Sequence, residues 1–437
     1  MKRKQTVIFV ALFILFCVGL LSFGGMNRPV SAQAESPYRE LSLFTDVLSI
    51  IRQDYVEEVD MKALLYGGIK GMLAVLDPHS SFMPPDIYKE MQVETKGEFG
   101  GIGIEVSLRD GFLTVVTPIE DSPAFNAGVL PGDRIVAIDG KETNDLGMMD
   151  AVKILRGSPG TMVEIGVSRI GSVDRLSFSL RREIIKIESI KARLLEPDYA
   201  LIRISAFQEQ TDTDLKKALQ KLHQENDAAL KGLILDLRNN PGGLLDQAVK
   251  VSDLFLEQGL IVYTEGRSDQ SDMKFTAHQG RTEPNYPIVV LINAGSASAA
   301  EIVAGALQDH QRAILLGTRS FGKGSVQTVV PLADGSGLRL TTALYYTPSG
   351  RSIQAAGIEP DLLVRQIVTG PEKREPVTRE QDLEHHFKSD QIDRSDAVDE
   401  GELLRFTEQD QNDIQLMRAL DLLKGWSIFN RLEKKAA

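Results

Sequence analysis

Residues 232–237 form a nearly continuous apolar run, and Arg238-Asn239-Asn240-Pro241-Gly242-Gly243 comes directly after it. A strand apolar at successive positions is buried on both faces, as in a parallel sheet covered by helices. The pattern recurs at 287–293, which ends in Ala294-Gly295-Ser296-Ala297-Ser298-Ala299-Ala300-Glu301 and runs into a small-residue helix. A further strand is expected at 313–317. Helices with one apolar face are expected at 212–224, through Leu215, Leu219 and Leu222, and at 244–255. Strands alternating with helices, with glycine-rich turns where strands end, define α/β architecture.

The rest of the chain is organised differently. With 437 residues it holds two or three domains at about 150 residues each. Residues 38–91 carry helical periodicity, broken at Asp77-Pro78-His79-Ser80-Ser81 and again at Pro84-Pro85. Residues 96–182 read as one strand-rich module. It opens with Gly100-Gly101-Ile102-Gly103-Ile104, read as the start of a strand over 100–106. Further strands are expected at 112–117, 134–138, 162–168 and 174–180, with short helices at 122–128 and 148–155. Residues 371–400 are charge-rich, include His385-His386, and read as a solvated linker. Helical periodicity resumes at 413–431 with enough apolar surface to require packing on this chain or on a partner.

Lys2, Arg3 and Lys4 precede an apolar run at 7–23. Basic residues before an apolar stretch hold the N-terminus in the cytoplasm, so the chain beyond the run is exported. The run falls between a signal core and a full span of about 20 residues. Ala32-Gln33-Ala34 resembles a cleavage site, so a cleaved signal and a retained anchor both stand. Cys17, the single cysteine, excludes an intrachain disulfide and a cysteine-cluster metal site. A net charge of -12 without a dense basic block argues against a nucleic-acid partner. No His-Glu-x-x-His run and no Gly-x-Ser-x-Gly elbow occurs, and neither a metal nor another cofactor is expected.

Three clusters carry chemistry. At the strand-to-helix junction 295–301 the free amides of a first helical turn can stabilise an oxyanion, and a serine there is either a nucleophile or an N-cap. Phe321-Gly322-Lys323-Gly324-Ser325-Val326-Gln327 places a lysine in an apolar, glycine-flanked setting. A lysine is a base only when neutral, which burial achieves by lowering its ordinary value of about 10.4. If 323–327 is a strand, Lys323, Ser325 and Gln327 share one side and Gln327 can orient the amine; a turn lysine on the surface is the plain alternative. The glycines after 237 form either an anion-binding concavity or a structural turn. His79 and His310 read as structural.

The module at 96–182 resembles a PDZ domain. Its opening glycine loop, the Ser122-Pro123-Ala124 to Ala127-Gly128 helix and Leu130-Pro131-Gly132-Asp133-Arg134-Ile135 through Ile138-Asp139-Gly140 carry the likeness. The resemblance implies that Gly101, Ile102, Gly103 and Ile104 receive a peptide C-terminus, which adds as a strand. The chain from about 41 to 364 resembles the carboxyl-terminal processing peptidases, the tail-specific Ser/Lys proteases. The matching runs are Asp77-Pro78-His79-Ser80, the PDZ-like module, 236–243, 296–301, 321–327, Thr347-Pro348-Ser349-Gly350-Arg351-Ser352-Ile353-Gln354 and Gly357-Ile358-Glu359-Pro360-Asp361.

The resemblance implies a multidomain α/β fold: a serine-protease core at 183–370, an inserted PDZ domain at 96–182, helical regions at 37–95 and within 371–437, and a signal segment at 1–24. It aligns the nucleophile with Ser298, the base with Lys323 and the orienting residue with Gln327, and puts oxyanion donors at Gly242, Gly243 and Ala299. It further implies protein substrates held by their C-termini, residence in the periplasm or on the outer face of the bacterial inner membrane, and homo-oligomers built through 43–51 and 420–429. The sequence leaves open whether an activating partner protein is needed. A PDZ adaptor on a dead scaffold would lack Ser298 or Lys323, and a ligand-binding relative would show no turnover.

Overall fold

The computed structural model of the protein describes residues 37–109, 111–144, 146–172, 174–226, 229–268, 271–280, 282–366, 378–387 and 413–436. The apolar run at 7–23, Cys17 and Ala32-Gln33-Ala34 lie outside these residues, as does most of the charged stretch 371–400. The chain divides into two compact units after Gly67. In the first, the helix Pro37–Asp54 exposes Leu43, Val47 and Ile50. Among the described residues no helix is long and apolar enough to cross a membrane.

The apolar run becomes the strand Gly232–Asp236, with every residue buried. It is third in a six-stranded sheet ordered Ile190–Glu196, Tyr199–Ile204, Gly232–Asp236, Ile288–Ile292, Ile314–Gly317, Leu362–Leu363. The first pair is antiparallel and the others are parallel. Alternate residues serve opposite faces. Leu233, Leu235, Val290 and Ile292 pack under the helices Thr211–Glu225, Leu245–Asp253 and Ala299–Asp309. Ile234, Val289 and Leu291 meet Leu416, Ala419, Leu420 and Leu423 of the C-terminal helix Ile414–Ala436. Each buried leucine of that helix contributes about 1.5–3 kcal/mol. Its start is also pinned by charge, because the Arg238 guanidinium binds both Asp236 and Asp413 at 2.8 and 2.7 Å. One face of the helix therefore packs on its own chain, while Trp426 and Phe429 stay exposed.

A five-stranded antiparallel sheet centres on Gly337–Tyr346, which pairs with Ser81–Met83, Leu260–Gly266 and Ser325–Pro331. The module has its own sheet, in the order Ile104–Arg109, Phe112–Pro118, Arg134–Ile138, Met162–Ser168, Leu176–Arg181, over a separate core that includes Val115, Ile135, Ile165 and Val167. The chain enters and leaves this module side by side, in a ribbon of Glu98–Gly101 with Glu183–Lys186, as an insertion requires. The single strand expected at 100–106 is in fact two, split at Ile102-Gly103. Gly103 has φ +73°, and a Cβ there would lie 2.2 Å from Ser122 Cβ. Only glycine turns the chain there.

Part of the expected solvated linker is packed structure. Glu380 is fully buried within a short 3-10 turn, Glu380–Asp382. Its carboxylate is satisfied by His79 Nε2 at 2.7 Å and Gln354 Nε2 at 2.7 Å. A charge-rich composition does not exclude burial where partners wait.

Candidate active site

Ser298 stands at the N-terminal end of the helix Ala299–Asp309 with φ 56° and ψ −115°, a conformation strained for any residue but glycine. Its hydroxyl does not cap that helix, because the Glu301 N–H is taken by the Ser298 carbonyl at 2.9 Å. The hydroxyl lies within electrostatic reach of the Tyr345 phenol instead. Ser296 differs. It is fully buried, donates to the Leu237 carbonyl at 2.9 Å and accepts the Asn293 N–H at 3.0 Å.

Glu301, one turn into the helix, is fully buried and joins the two sides of the site. Oε2 accepts from the amides of Ser298 at 2.7 Å and Lys323 at 3.0 Å. Oε1 accepts from Ser320 Oγ at 2.6 Å and the Gly322 amide at 2.8 Å. Burial raises this carboxyl and the same four donors oppose it, leaving it at about 7.

Lys323 lies in a loop rather than on a strand. The strand begins at Ser325, and a bulge falls between Val326 and Gln327. The expected alternation of Lys323, Ser325 and Gln327 along one strand side does not occur. The loop is held at each step: Ser320 N–H to Ile358 O, Phe321 N–H to Ser296 O, and Gly324 N–H to Gln354 Oε1 at 2.9 Å. The Tyr345 hydroxyl donates to the Lys323 carbonyl. Residues 379–380 strap the loop from behind, with Arg379 donating to the carbonyls of Arg319 and Ser320 and the Glu380 amide to Phe321 O. Burial holds the Lys323 amine below the ordinary lysine range, and the Arg339 guanidinium adds to this. Glu380, Glu301 and Asp77 oppose it. Gln327 Nε2 donates to Ser325 Oγ at 2.9 Å and Thr341 Oγ1 at 3.4 Å.

The glycines after Gly232–Asp236 press against the serine turn. Gly242 has φ +103°, and a Cβ there would sit 2.7 Å from Ser298 Cβ. The Gly242 amide is not available to a ligand, because it donates to Asn240 Oδ1 at 2.8 Å. That corrects the expectation of an oxyanion donor at Gly242. Among the described residues the amides of Gly243 and Ala299 make no hydrogen bond. Ser298, Ala299, Gly242, Gly243, Lys323 and Gln327 all line one cleft of about 460 Å³. The helix Pro85–Lys96 contributes Met91, Glu94 and Thr95 to its rim.

In the inserted module Gly101, Ile102, Gly103 and Ile104 line a groove of about 170 Å³ with Val106, Val152, Leu155 and Arg156. Ile104–Arg109 is an edge strand of its sheet. It can accept a further strand from a peptide.

Three family models match the chain: the PDZ domain over 100–180, Peptidase family S41 over 198–364, and the Activating protease CtpB N-terminal domain over 25–86. The carboxy-terminal-processing protease of Bartonella bacilliformis is 46% identical over 393 residues, covering 90% of each chain. This chain belongs to the carboxy-terminal processing proteases. The carboxy-terminal processing protease CtpB of Bacillus subtilis is 33% identical over 428 residues, 93% of this chain and 88% of that one. A solved structure described as a photosystem II D1 C-terminal processing protease is 31% identical and covers 75% of this chain and 88% of that one, with a TM-score of 0.43.

This processing protease is a serine-type peptidase of multidomain α/β fold with an inserted PDZ domain. Several residues around the cleft had no role legible in the sequence. Glu301 stood inside a matching run, yet nothing in a sequence marks an acid that will be buried among four donors. Asp77 read as a helix breaker. In this processing protease it accepts from Thr341 Oγ1 at 3.0 Å, and the same Thr341 oxygen accepts from the Gln327 amide. His310 is structural, with Nε2 on the Leu260 carbonyl at 2.7 Å.

Proposed function

We propose that the protein is an exported endopeptidase in which Ser298 is the nucleophile, Lys323 the general base and Gln327 the residue that orients the Lys323 amine. The observation that carries the reading is the shared cleft: a serine on a strained turn and a buried, depressed lysine open onto the same space. Neutral Lys323 Nζ takes the Ser298 Oγ proton as Oγ attacks the scissile carbonyl carbon. The amides of Gly243 and Ala299 receive the oxyanion. The Lys323 ammonium returns its proton to the leaving amine. Lys323 then takes a proton from a water that attacks the acyl ester, and returns it to Ser298 Oγ as the ester C–O bond breaks and the acid product leaves.

In this reading the groove at Gly101, Ile102, Gly103 and Ile104 holds the substrate's C-terminal residues while another part of the same chain reaches the cleft. Export to the periplasm or to the outer face of the inner membrane is supported by the basic residues ahead of 7–23. The exposed apolar residues of Pro37–Asp54 and of Ile414–Ala436 are the surfaces for homo-oligomers. An activating partner protein stays open in the same reading, and residues 25–86 match the N-terminal domain of an activating protease.

Digestion of an unstructured protein by the purified chain tests the assignment, with Ser298→Ala and Lys323→Ala alongside. Loss of cleavage in both variants is expected. Cleavage by Ser298→Ala would transfer the nucleophile to another serine and end this reading.

A further inference from the structure

We propose that Asp77 is a positioning residue for catalysis, acting through Thr341 to fix which end of the Gln327 amide faces the reacting groups. This role rests on the reading of Gln327 as the orienter of Lys323. Proton counting sets the direction of each bond. Asp77 is 4% exposed, and every partner it has is a donor. The amides of His79 and Ser80 reach Oδ1 at 2.8 Å each, Thr341 Oγ1 reaches Oδ1 at 3.0 Å, and Ser80 Oγ reaches Oδ2 at 2.6 Å. Burial raises this carboxyl, but those hydrogen bonds outweigh burial and hold it below the usual range, so it only accepts.

A threonine hydroxyl has one hydrogen. Here it is spent on Asp77, so Thr341 Oγ1 can offer Gln327 nothing but a lone pair. The Gln327 atom facing it must therefore be the amide nitrogen, which also donates to Ser325 Oγ. A flipped amide would set its carbonyl oxygen against an oxygen with no proton to give. The ionised end of the chain Asp77, Thr341, Gln327 thus dictates the orientation at the other end. The remaining amide atom is Gln327 Oε1, a pure acceptor on a residue that lines the cleft with Lys323. A neutral amine has two N–H groups and one lone pair. If Oε1 takes one N–H, the lone pair is turned to the Ser298 proton. Asp77 is remote in sequence from both residues and enters through the break at Asp77-Pro78-His79-Ser80, next to the strand Ser81–Met83 that pairs with Gly337–Tyr346.

The test is a cycle on the purified full chain, with kcat and KM measured separately on an unstructured protein. Thr341→Val keeps the shape and removes the link. It should lower kcat about tenfold at unchanged KM. Gln327→Ala should do at least as much, and Thr341→Val should cost nothing further in the Gln327→Ala background. Asp77→Asn, whose carbonyl oxygen still accepts from Thr341, should keep kcat within about threefold of the starting enzyme, where Asp77→Ala does not. Additive losses in the double variant, or a normal kcat in Thr341→Val beside an impaired Gln327→Ala, would overturn this inference alone. A normal kcat in Gln327→Ala would overturn the reading of Gln327 as well.

Discussion

Replacing Glu301 by Gln isolates the link between the serine turn and the lysine loop. The side chain keeps its size, but one of its two oxygens becomes an NH₂ group. If nitrogen takes the Oε2 position, it faces the amides of Ser298 and Lys323, and two bonds are lost. If it takes the Oε1 position, it faces Ser320 Oγ and the Gly322 amide. The Ser320 hydroxyl can rotate to accept, and it already accepts the Ile358 amide at 2.6 Å. The second arrangement is the cheaper: it orphans the buried Gly322 N–H, and the Ser320 hydroxyl, now accepting, turns its own proton away from residue 301. An orphaned buried donor costs about 1–3 kcal/mol, and the three surviving bonds lose their ionic strengthening. A local penalty of about 2 kcal/mol is expected on that basis. It falls on the loop that carries Lys323. Native-state hydrogen exchange reads it directly: about 2 kcal/mol corresponds to a roughly 30-fold faster exchange at the Gly322 and Lys323 amides. The kcat on an unstructured substrate should fall with little change in KM, since the PDZ groove is untouched. Wild-type exchange at Gly322 and Lys323, together with kcat within about twofold of wild type, would refute the claim that this carboxylate holds the two sides together.

Two further outcomes are expected from the same geometry. On the proposed assignment Lys323 acts as a base when neutral, so kcat should rise with pH through its lowered pKa; removing the nearby positive charge with Arg339→Gln raises that pKa and should shift the acidic limb of the pH–kcat profile to higher pH, and a limb that stays put or moves lower contradicts the electrostatic account. Gly242→Ala forces a Cβ to 2.7 Å from Ser298 Cβ at a φ of +103°, so cleavage should fall at least about a hundredfold for a stability loss of only about 1–3 kcal/mol by denaturant titration; near-normal cleavage means the serine turn can move away.

The inner parallel strands of the six-stranded sheet were legible because their residues obey one rule each, while its edge strands Ile190–Glu196 and Leu362–Leu363 were not. Ile234 and Leu233 both had to be apolar once a helix covered either face, and the unbroken run announced that. The split of the expected strand at 100–106 was not legible, because a glycine permits a turn without demanding it; the Ser122 side chain that excludes any Cβ at Gly103 comes from elsewhere in the fold. Lys323 was singled out from its apolar, glycine-flanked setting, but strand alternation did not hold there, because a bulge depends on the partner strand Gly337–Tyr346. Glu301, Asp77 and Glu380 were invisible as functional groups for a common reason. Each is a carboxylate made tolerable in the interior by donors of which some come from far along the chain, Thr341 for Asp77, Gly322 and Lys323 for Glu301, His79 for Glu380, and composition can only report an acid as polar. Glu380 shows this most plainly: its two side-chain partners, His79 and Gln354, are 301 and 26 residues away along the chain.

The strap at Arg379 and Glu380 has a temporal consequence. A ribosome makes the chain from its N-terminus, so Ser298, Lys323 and Gln327 all emerge before the residues that brace the lysine loop. A nascent protease carrying every reactive side chain still lacks the brace until synthesis has passed residue 380. The order of translation therefore places the bracing of the Lys323 loop after the synthesis of all three of those side chains. A fragment trimmed to the matched peptidase segment, which ends at 364, would lack the Arg379 and Glu380 hydrogen bonds to that loop altogether.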